Sequence, residues 1–381
     1  MFRVVKGVAE AKKLIRKLKP DLVFSKGGFV AVPVVLGAKS NNVPVIIHES
    51  DITPGLANKI AMPSARVVCS TFPETLQYVP KGKGVHTGTP IRKELFEGDR
   101  QKGLAACRFT GEKPVLLMMG GSLGAVKLNN CLREILPELV KTFDVIHLCG
   151  KGNLDGHLRD QEGYMQFEYV SDGLNDLFAA ADFIVSRAGS NSISEFLALK
   201  KPHLLIPLSA KASRGDQILN AASFEKQGFA RVLDEDEMTA ESMKKEIFEL
   251  FENKDKYVAA MENASTGDGV DAVMDRMGDG HAALRGIGGQ GDGTLGKEQT
   301  DLHAGLQAVQ FGHHQVQNDQ VKPPGSGQFH RAAVQYLCPQ RRHLQHLVIG
   351  DHIQLSCARY FSWICCVNSI YVAIYFASIC I

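Results

Sequence analysis

Short apolar runs punctuate the first two thirds of the chain: Leu22 to Phe24, Val43 to Ile47, Arg66 to Ser70, Val115 to Met119, Val145 to Cys149, Phe183 to Val185 and His203 to Pro207. Between them lie stretches with a helical repeat of apolar positions, among them Ala31 to Ala38 and Lys127 to Leu139. Strands that read as continuous apolar runs are buried on both faces, the signature of a parallel sheet covered by helices. The pattern therefore predicts an α/β chain. With 381 residues and 44% hydrophobic content there is material for two cores, hence two such domains.

In open parallel sheets ligands gather at the carboxyl ends of strands, and three glycine-rich turns fall at such ends. The run ending at Val185 continues through Ser186-Arg187-Ala188-Gly189-Ser190-Asn191 into a helix expected from Ser192. The first N–H groups of a helix have no intrahelical partner and lie at its positive end, so an anion docks there. Glu195, one turn further on, repels a phosphate and suits a pair of sugar hydroxyls, which suggests a nucleotide with its ribose beside the turn. Ser192 and Glu195 are also spaced as a capping box, and that reading stays open. Gly120-Gly121-Ser122-Leu123-Gly124-Ala125 follows Met119 in the same way, with the Ser122 hydroxyl as an added donor; the three-glycine dinucleotide fingerprint is not matched. Gly27 and Gly28 close the run that starts at Leu22. Three such turns favour a phosphorylated ligand over coincidence.

Further candidates are polar residues near these ends. Asp216 and Gln217, in the loop Ser213 to Gln217 ahead of a helix led by Asn220-Ala221, combine the donors and acceptors needed to read sugar hydroxyls; a polar helix start would look the same. His48 and Glu49 end a strand, and Thr53 to Asn58 turns into a helix. His48 in proton transfer competes with a structural histidine, the commoner case. The Asp234 to Glu237 run reads as a solvated helix start, and no Asp-x-Asp loop asks for a metal. A net charge of +2 is too balanced for a generic nucleic-acid binder.

In order along the chain, Gly27-Gly28-Phe29-Val30, His48-Glu49-Ser50-Asp51 with Pro54 to Asn58, Gly88-Thr89-Pro90-Ile91-Arg92, Gly120 to Ala125, Ser186 to Gly189 with Glu195, and Asp216-Gln217 with Asn220-Ala221 resemble the MurG family of peptidoglycan glycosyltransferases. The resemblance runs from residue 1 to about residue 277. It implies the GT-B fold, two Rossmann-like domains facing across a cleft, here with an incomplete N-terminal domain at 1–92 and a donor-binding domain at 93–277 whose final helix returns to the first. It implies transfer of N-acetylglucosamine, with inversion, from UDP-GlcNAc to the undecaprenyl-linked muramyl-pentapeptide lipid I, giving lipid II, with no cofactor. Carried over by motif, Arg92 and Ser122 attend the donor diphosphate, the Ser190, Asn191 and Ser192 backbone lines diphosphate and ribose, and Glu195 takes the ribose hydroxyls. Val170 reads the uracil edge, and Gln217 with Asp216 reaches the N-acetylglucosamine. Gly27, Gly28, His48, Glu49 and Asn58 stand on the acceptor side. The alternatives are another UDP-sugar enzyme of this fold, such as a 2-epimerase or a glycolipid synthase, and a UDP-GlcNAc-binding fragment without catalysis.

The chain also departs from the family. The glycine-rich turn that opens the family, with its proposed catalytic base, has no counterpart, so the catalytic residue is unknown. The expectation is an N-terminal sheet with an exposed edge and little transfer activity. Phe2, Val5, Val8 and Ile15 interleave with Arg3, Lys6, Lys12, Lys13, Arg16, Lys17 and Lys19, a basic amphipathic helix suited either to an anionic membrane surface or to ordinary solvent. From Gly278 onward glycine, glutamine and histidine take over and helical periodicity is lost, as in a disordered or out-of-frame extension. The uncharged Tyr360 to Ile381 offers a tail anchor as a second option. Cys69, Cys107, Cys131 and Cys149 lack paired spacing, and Met1 to Asp21 is broken by charges, so a reducing cytoplasmic site on the inner-membrane face is expected.

Overall fold

The computed structural model describes residues 2–121, 124–264, 269–273, 275–276, 347–348 and 372–375. The chain divides into two compact units, 1–90 with 267–381, and 91–266.

The first unit opens with α1 (Phe2–Leu18), β1 (Leu22–Ser25), α2 (Ala31–Lys39), β2 (Val45–Glu49), α3 (Leu56–Ala61), β3 (Val67–Ser70) and β4 (Gly84–His86). Strands β1 to β4 are parallel neighbours in that order. Helix α1 packs on α2 so closely that a Cβ on Gly37 would stand 2.9 Å from the Lys12 nitrogen. Ala11 and Ile15 are buried in the core with Val34, Val35, Val23 and Ile47, and Leu14 and Leu18 pack against it. Ala11 and Ile15 thus commit this stretch of α1 to the protein interior, while Lys13, Arg16 and Lys17, with Lys19 just beyond the helix, are exposed.

The second unit contains α4 (Arg100–Cys107), β5 (Val115–Met119), α5 (Val126–Thr142), β6 (Asp144–Leu148), β7 (Tyr164–Phe167), α6 (Leu174–Ala180), β8 (Phe183–Ser186), α7 (Ser190–Ala198), β9 (His203–Leu205), α8 (Asp216–Lys226), β10 (Ala230–Val232), α9 (Ala240–Glu252) and α10 (Lys254–Glu262). Its sheet is parallel with the order β10-β9-β8-β5-β6-β7. The chain leaves β5 toward β6 and β7 on one side and returns through β8 to β9 and β10 on the other. The reversal lies between β5 and β8, where a doubly wound sheet opens its ligand crevice. Phe143, Phe183, Phe248 and Phe251 form a ring cluster beneath one face, with centroids 5.0 to 5.3 Å apart.

Several sequence expectations change. Helix α7 begins at Ser190, with Gly189 as its N-cap and no side-chain cap, so the Ser192–Glu195 capping box does not form. Helix α8 begins at Asp216, so Asp216 and Gln217 belong to its first turn and Asn220 lies inside it, fully buried. The β1 edge expected to be bare is paired antiparallel with β12 (Val372–Tyr375), which in turn pairs with β11 (Leu347–Val348). Those four residues are strand, unlike a helical tail anchor; the rest of that segment lies outside the described residues. No helix among the described residues is long and apolar enough to cross a membrane. The four body cysteines are free. Burial pushes the Cys69 and Cys107 thiols up to about 12.

Candidate active site

In the second unit the chemistry gathers at the carboxyl ends of β5 and β8. After Ser186 the chain turns through Arg187, Ala188 and Gly189 into α7, whose first intrahelical bond runs from Ile193 N–H to the Gly189 carbonyl at 3.1 Å. The N–H groups of Ser190, Asn191 and Ser192 precede that ladder and face out of the positive end of the helix. Ser190 is buried, Ser192 half-buried and Asn191 exposed. Glu195, on the next turn, lies 3.8 Å from the Arg92 guanidinium, both side chains four-fifths shielded from water. The Arg92 charge also reaches Tyr169, next to Val170, in the half-buried segment that leaves the carboxyl end of β7. Arg92 therefore links the segment of Tyr169 and Val170 to α7, the helix that carries Ser190 to Ser192 and Glu195.

Helix α8 is tied to the same place. Asn220 donates to the Ala188 carbonyl at 3.3 Å, and the Leu208 N–H donates to Gln217 Oε1 at 3.1 Å. Gln217 keeps its amide nitrogen for another acceptor, while Asp216 is paired with Arg214 at 3.2 Å. On the β5 side Gly121 and Gly124 have φ of +88° and +75°, the left-handed region where glycine is at ease. Gly124 has a further reason to lack a side chain, since a Cβ would overlap the Cys149 carbonyl. Ser122 lies outside the described residues.

The turn after β8 is held by a feature the sequence reading missed. Arg187 donates to the Ile206 and Pro207 carbonyls at 3.1 and 3.3 Å and to Glu235 Oε1 at 2.5 Å. Glu235 Oε2 accepts the Ser209 N–H at 2.9 Å, and Lys127 donates to the Glu235 carbonyl. Glu235 is 8% exposed, which corrects the solvated reading of the Asp234 to Glu237 run, although its three neighbours are exposed. Burial by itself would raise the Glu235 carboxyl; the hydrogen bonds from Arg187 and Ser209, with the charges of Arg187 and Lys127, outweigh it and hold the group below its ordinary value. The one available hint was an Arg in the β8 turn with an acidic run later in the chain.

In the first unit the acceptor-side candidates form a scaffold around Glu49. Its carboxylate accepts from Asn58 Nδ2 at 2.8 Å, from the Asp51 N–H at 3.1 Å and from the Gly55 N–H at 3.3 Å. Burial raises its carboxyl, partly countered by those bonds. Asn58 sits so close to Gly27 that a Cβ there would be 2.9 Å from its Nδ2. Gly27 and Gly28, with φ of +99° and +86°, carry the chain away from β1. His48 Nε2 donates to the Gly88 carbonyl at 3.0 Å and Nδ1 is buried without a partner. Burial, and then the Lys26 charge, bring its pKa down to about 3. The Gly88 bond and full burial give His48 a structural part in this scaffold.

Two units built on sheets whose β1 to β10 are parallel, with an uncapped helix end and a shielded carboxylate at the switch point of the second, have the architecture of the GT-B glycosyltransferase class. The model of the glycosyltransferase family 28 C-terminal domain matches residues 115–277 and that of the N-terminal domain residues 1–70. UDP-N-acetylglucosamine--N-acetylmuramyl-(pentapeptide) pyrophosphoryl-undecaprenol N-acetylglucosamine transferases of Lachnoclostridium phytofermentans and Geobacillus thermodenitrificans are 57% and 58% identical over 273 residues, 72% of this chain and 77% of each relative. The crystal structure of Acinetobacter baumannii MurG superposes with a TM-score of 0.56 at 27% identity, covering 69% of this chain and 75% of that one. The Staphylococcus aureus MnaA–UDP structure shares the fold, with a TM-score of 0.55 at 14% identity over 72% of this chain and 79% of that one. The chain belongs to glycosyltransferase family 28 and, within it, to the MurG family.

Proposed function

We propose that this chain transfers N-acetylglucosamine from UDP-GlcNAc to the undecaprenyl-pyrophosphoryl-muramyl-pentapeptide, forming lipid II with inversion at the anomeric carbon. The observation that carries the reading is the uncapped α7 N-terminus at the β5/β8 reversal, with Glu195 and Arg92 beside it. The N–H groups of Ser190 to Ser192 meet the donor diphosphate, helped by Arg92 and by Ser122. Glu195 accepts from the ribose hydroxyls, backbone at Val170 reads uracil, and Gln217 with Asp216 takes the sugar hydroxyls. As the muramyl hydroxyl attacks and UDP departs, charge builds on the diphosphate, and a prearranged helix end with a guanidinium stabilises it without reorganising. The 1–92 segment supplies the acceptor side through Gly27, Gly28, His48, Glu49 and Asn58, with His48 and Glu49 shaping loops rather than touching substrate. Attraction of the exposed α1 rim to anionic lipid holds the protein at the cytoplasmic face of the membrane.

Calorimetric titration with UDP-GlcNAc, UDP-glucose and ADP-glucose tests the donor site, followed by a transfer assay on lipid I. Selective UDP-GlcNAc binding that is lost in Glu195→Ala, with formation of the lipid-linked disaccharide, supports the reading. A folded chain that ignores UDP-GlcNAc, or one that turns it over without lipid I, refutes it.

A further inference from the structure

Beneath the β5 turn lies a buried hydrogen-bond chain with no role in the transfer described above. Asn129 on α5, His147 on β6 and Tyr164 on β7 are 1%, 0% and 3% exposed. Asn129 Nδ2 donates to the Cys149 carbonyl at 2.8 Å, so its Oδ1 is what faces His147 Nε2 at 2.9 Å. An amide oxygen cannot donate, which fixes the histidine tautomer with its proton on Nε2. His147 Nδ1 is then an acceptor and takes the Tyr164 hydroxyl proton at 2.8 Å. The Arg133 charge acts on the Tyr164 oxygen from outside the hydrogen-bond chain, where a guanidinium can only donate, so the hydroxyl proton points to the imidazole. Every polarity in the chain is thus determined, from Tyr164 through His147 and Asn129 to the Cys149 carbonyl.

That carbonyl is the atom a side chain at Gly124 would strike, and Asn129 N–H bonds the Ala125 carbonyl at 2.9 Å in the first turn of α5. The relay therefore locks three parts together: the end of β6, the glycine at +75° and the start of α5. We infer that Tyr164, His147 and Asn129 are positioning residues that set the β5–α5 turn for the donor diphosphate, an inference that rests on the donor-site reading above. A small shift of the Cys149 carbonyl would carry Gly124 and the α5 end with it, because the contact leaves no slack.

The test is a variant series in the full chain, read by UDP-GlcNAc titration and by donor and acceptor KM. In His147→Gln the amide accepts from Tyr164 and donates to Asn129, preserving the polarity; in His147→Leu both bonds vanish. The expected result is a donor Kd and KM raised about tenfold in His147→Leu and Asn129→Asp but less than threefold in His147→Gln, with kcat and acceptor KM little changed. Equal donor binding across folded variants overturns the inference, as does a His147→Gln loss matching that of His147→Leu. Imidazole 15N–1H spectra of the wild-type chain provide a readout independent of folding in the variants. An Nε2–H tautomer unchanged from pH 5 to 8 supports the relay, while an Nδ1–H form or a titrating ring overturns it. A folded wild-type chain that binds no UDP-GlcNAc refutes the donor-site reading instead, and is told apart by the unaltered tautomer.

Discussion

Removing Arg187 strands the Glu235 carboxylate in a place where water barely reaches it. The pair is 13% and 11% exposed, and Arg187 also satisfies the Ile206 and Pro207 carbonyls. Breaking a buried ion pair from one side costs about 3–5 kcal/mol, because the remaining charge keeps its desolvation penalty. Residual exposure puts the expectation at the lower end, about 3 kcal/mol. For a unit of this size about 2–4 °C of melting temperature is lost per kcal/mol, so Arg187→Ala should lower the transition by roughly 6–12 °C. Scanning calorimetry with and without UDP-GlcNAc identifies the transition of the second unit as the one the donor raises. Glu235→Gln leaves the Arg187 charge without its counter-ion and turns an NH2 toward one of the two donors, Arg187 or the Ser209 N–H, so it should also be clearly destabilising. The pH sign follows from the depressed Glu235 carboxyl. Its stabilising contribution is complete above the ordinary glutamate pKa of about 4.3 and fades as pH falls through the lower folded value, so the Arg187→Ala penalty should shrink below about pH 4. A shift under about 1 °C at neutral pH, or a penalty that grows on acidification, would refute the clamp.

Gly103→Ala should destabilise the second unit by about 1–3 kcal/mol in urea unfolding, because a Cβ there overlaps the Asp176 carbonyl where α4 lies against α6. His203 is buried between Phe196 and Phe224, and burial lowers its pKa to about 4. The unfolded chain therefore takes up a proton first, and stability present above about pH 6.5 declines toward pH 4; His203→Phe should flatten that decline in melts at pH 8 and pH 5. Glu195→Gln should weaken UDP-GlcNAc binding about tenfold while binding of the 2′-deoxyuridine analogue changes less, as measured by calorimetry; equal losses would remove Glu195 from the ribose.

Fold class and most of the strands were legible in the sequence, because central parallel strands are buried on both faces and leave an uninterrupted apolar mark. Among the described strands the apolar pattern missed β4, β7 and β10, edge strands of three or four residues that are partly open to solvent and marked by no such run, and also β11 and β12, which lie in the stretch that lacks any periodicity. Glycine turns were legible for the same local reason, since a chain that needs positive φ writes glycine at that position. Tertiary structure alone decided which polar residues were partners. Arg187 finds Glu235 across 48 positions, Asn129 finds His147 on β6, and His147 in turn finds Tyr164 on β7. No period in a sequence records such meetings, because they depend on the order in which β5, β6, β7 and β8 lie side by side. Packing in the first unit likewise buried His48 and bonded its Nε2 to the Gly88 carbonyl, and packing in the second put an acidic run's second residue inside the protein. Burial sets the charge of such groups, and burial belongs to the packed chain.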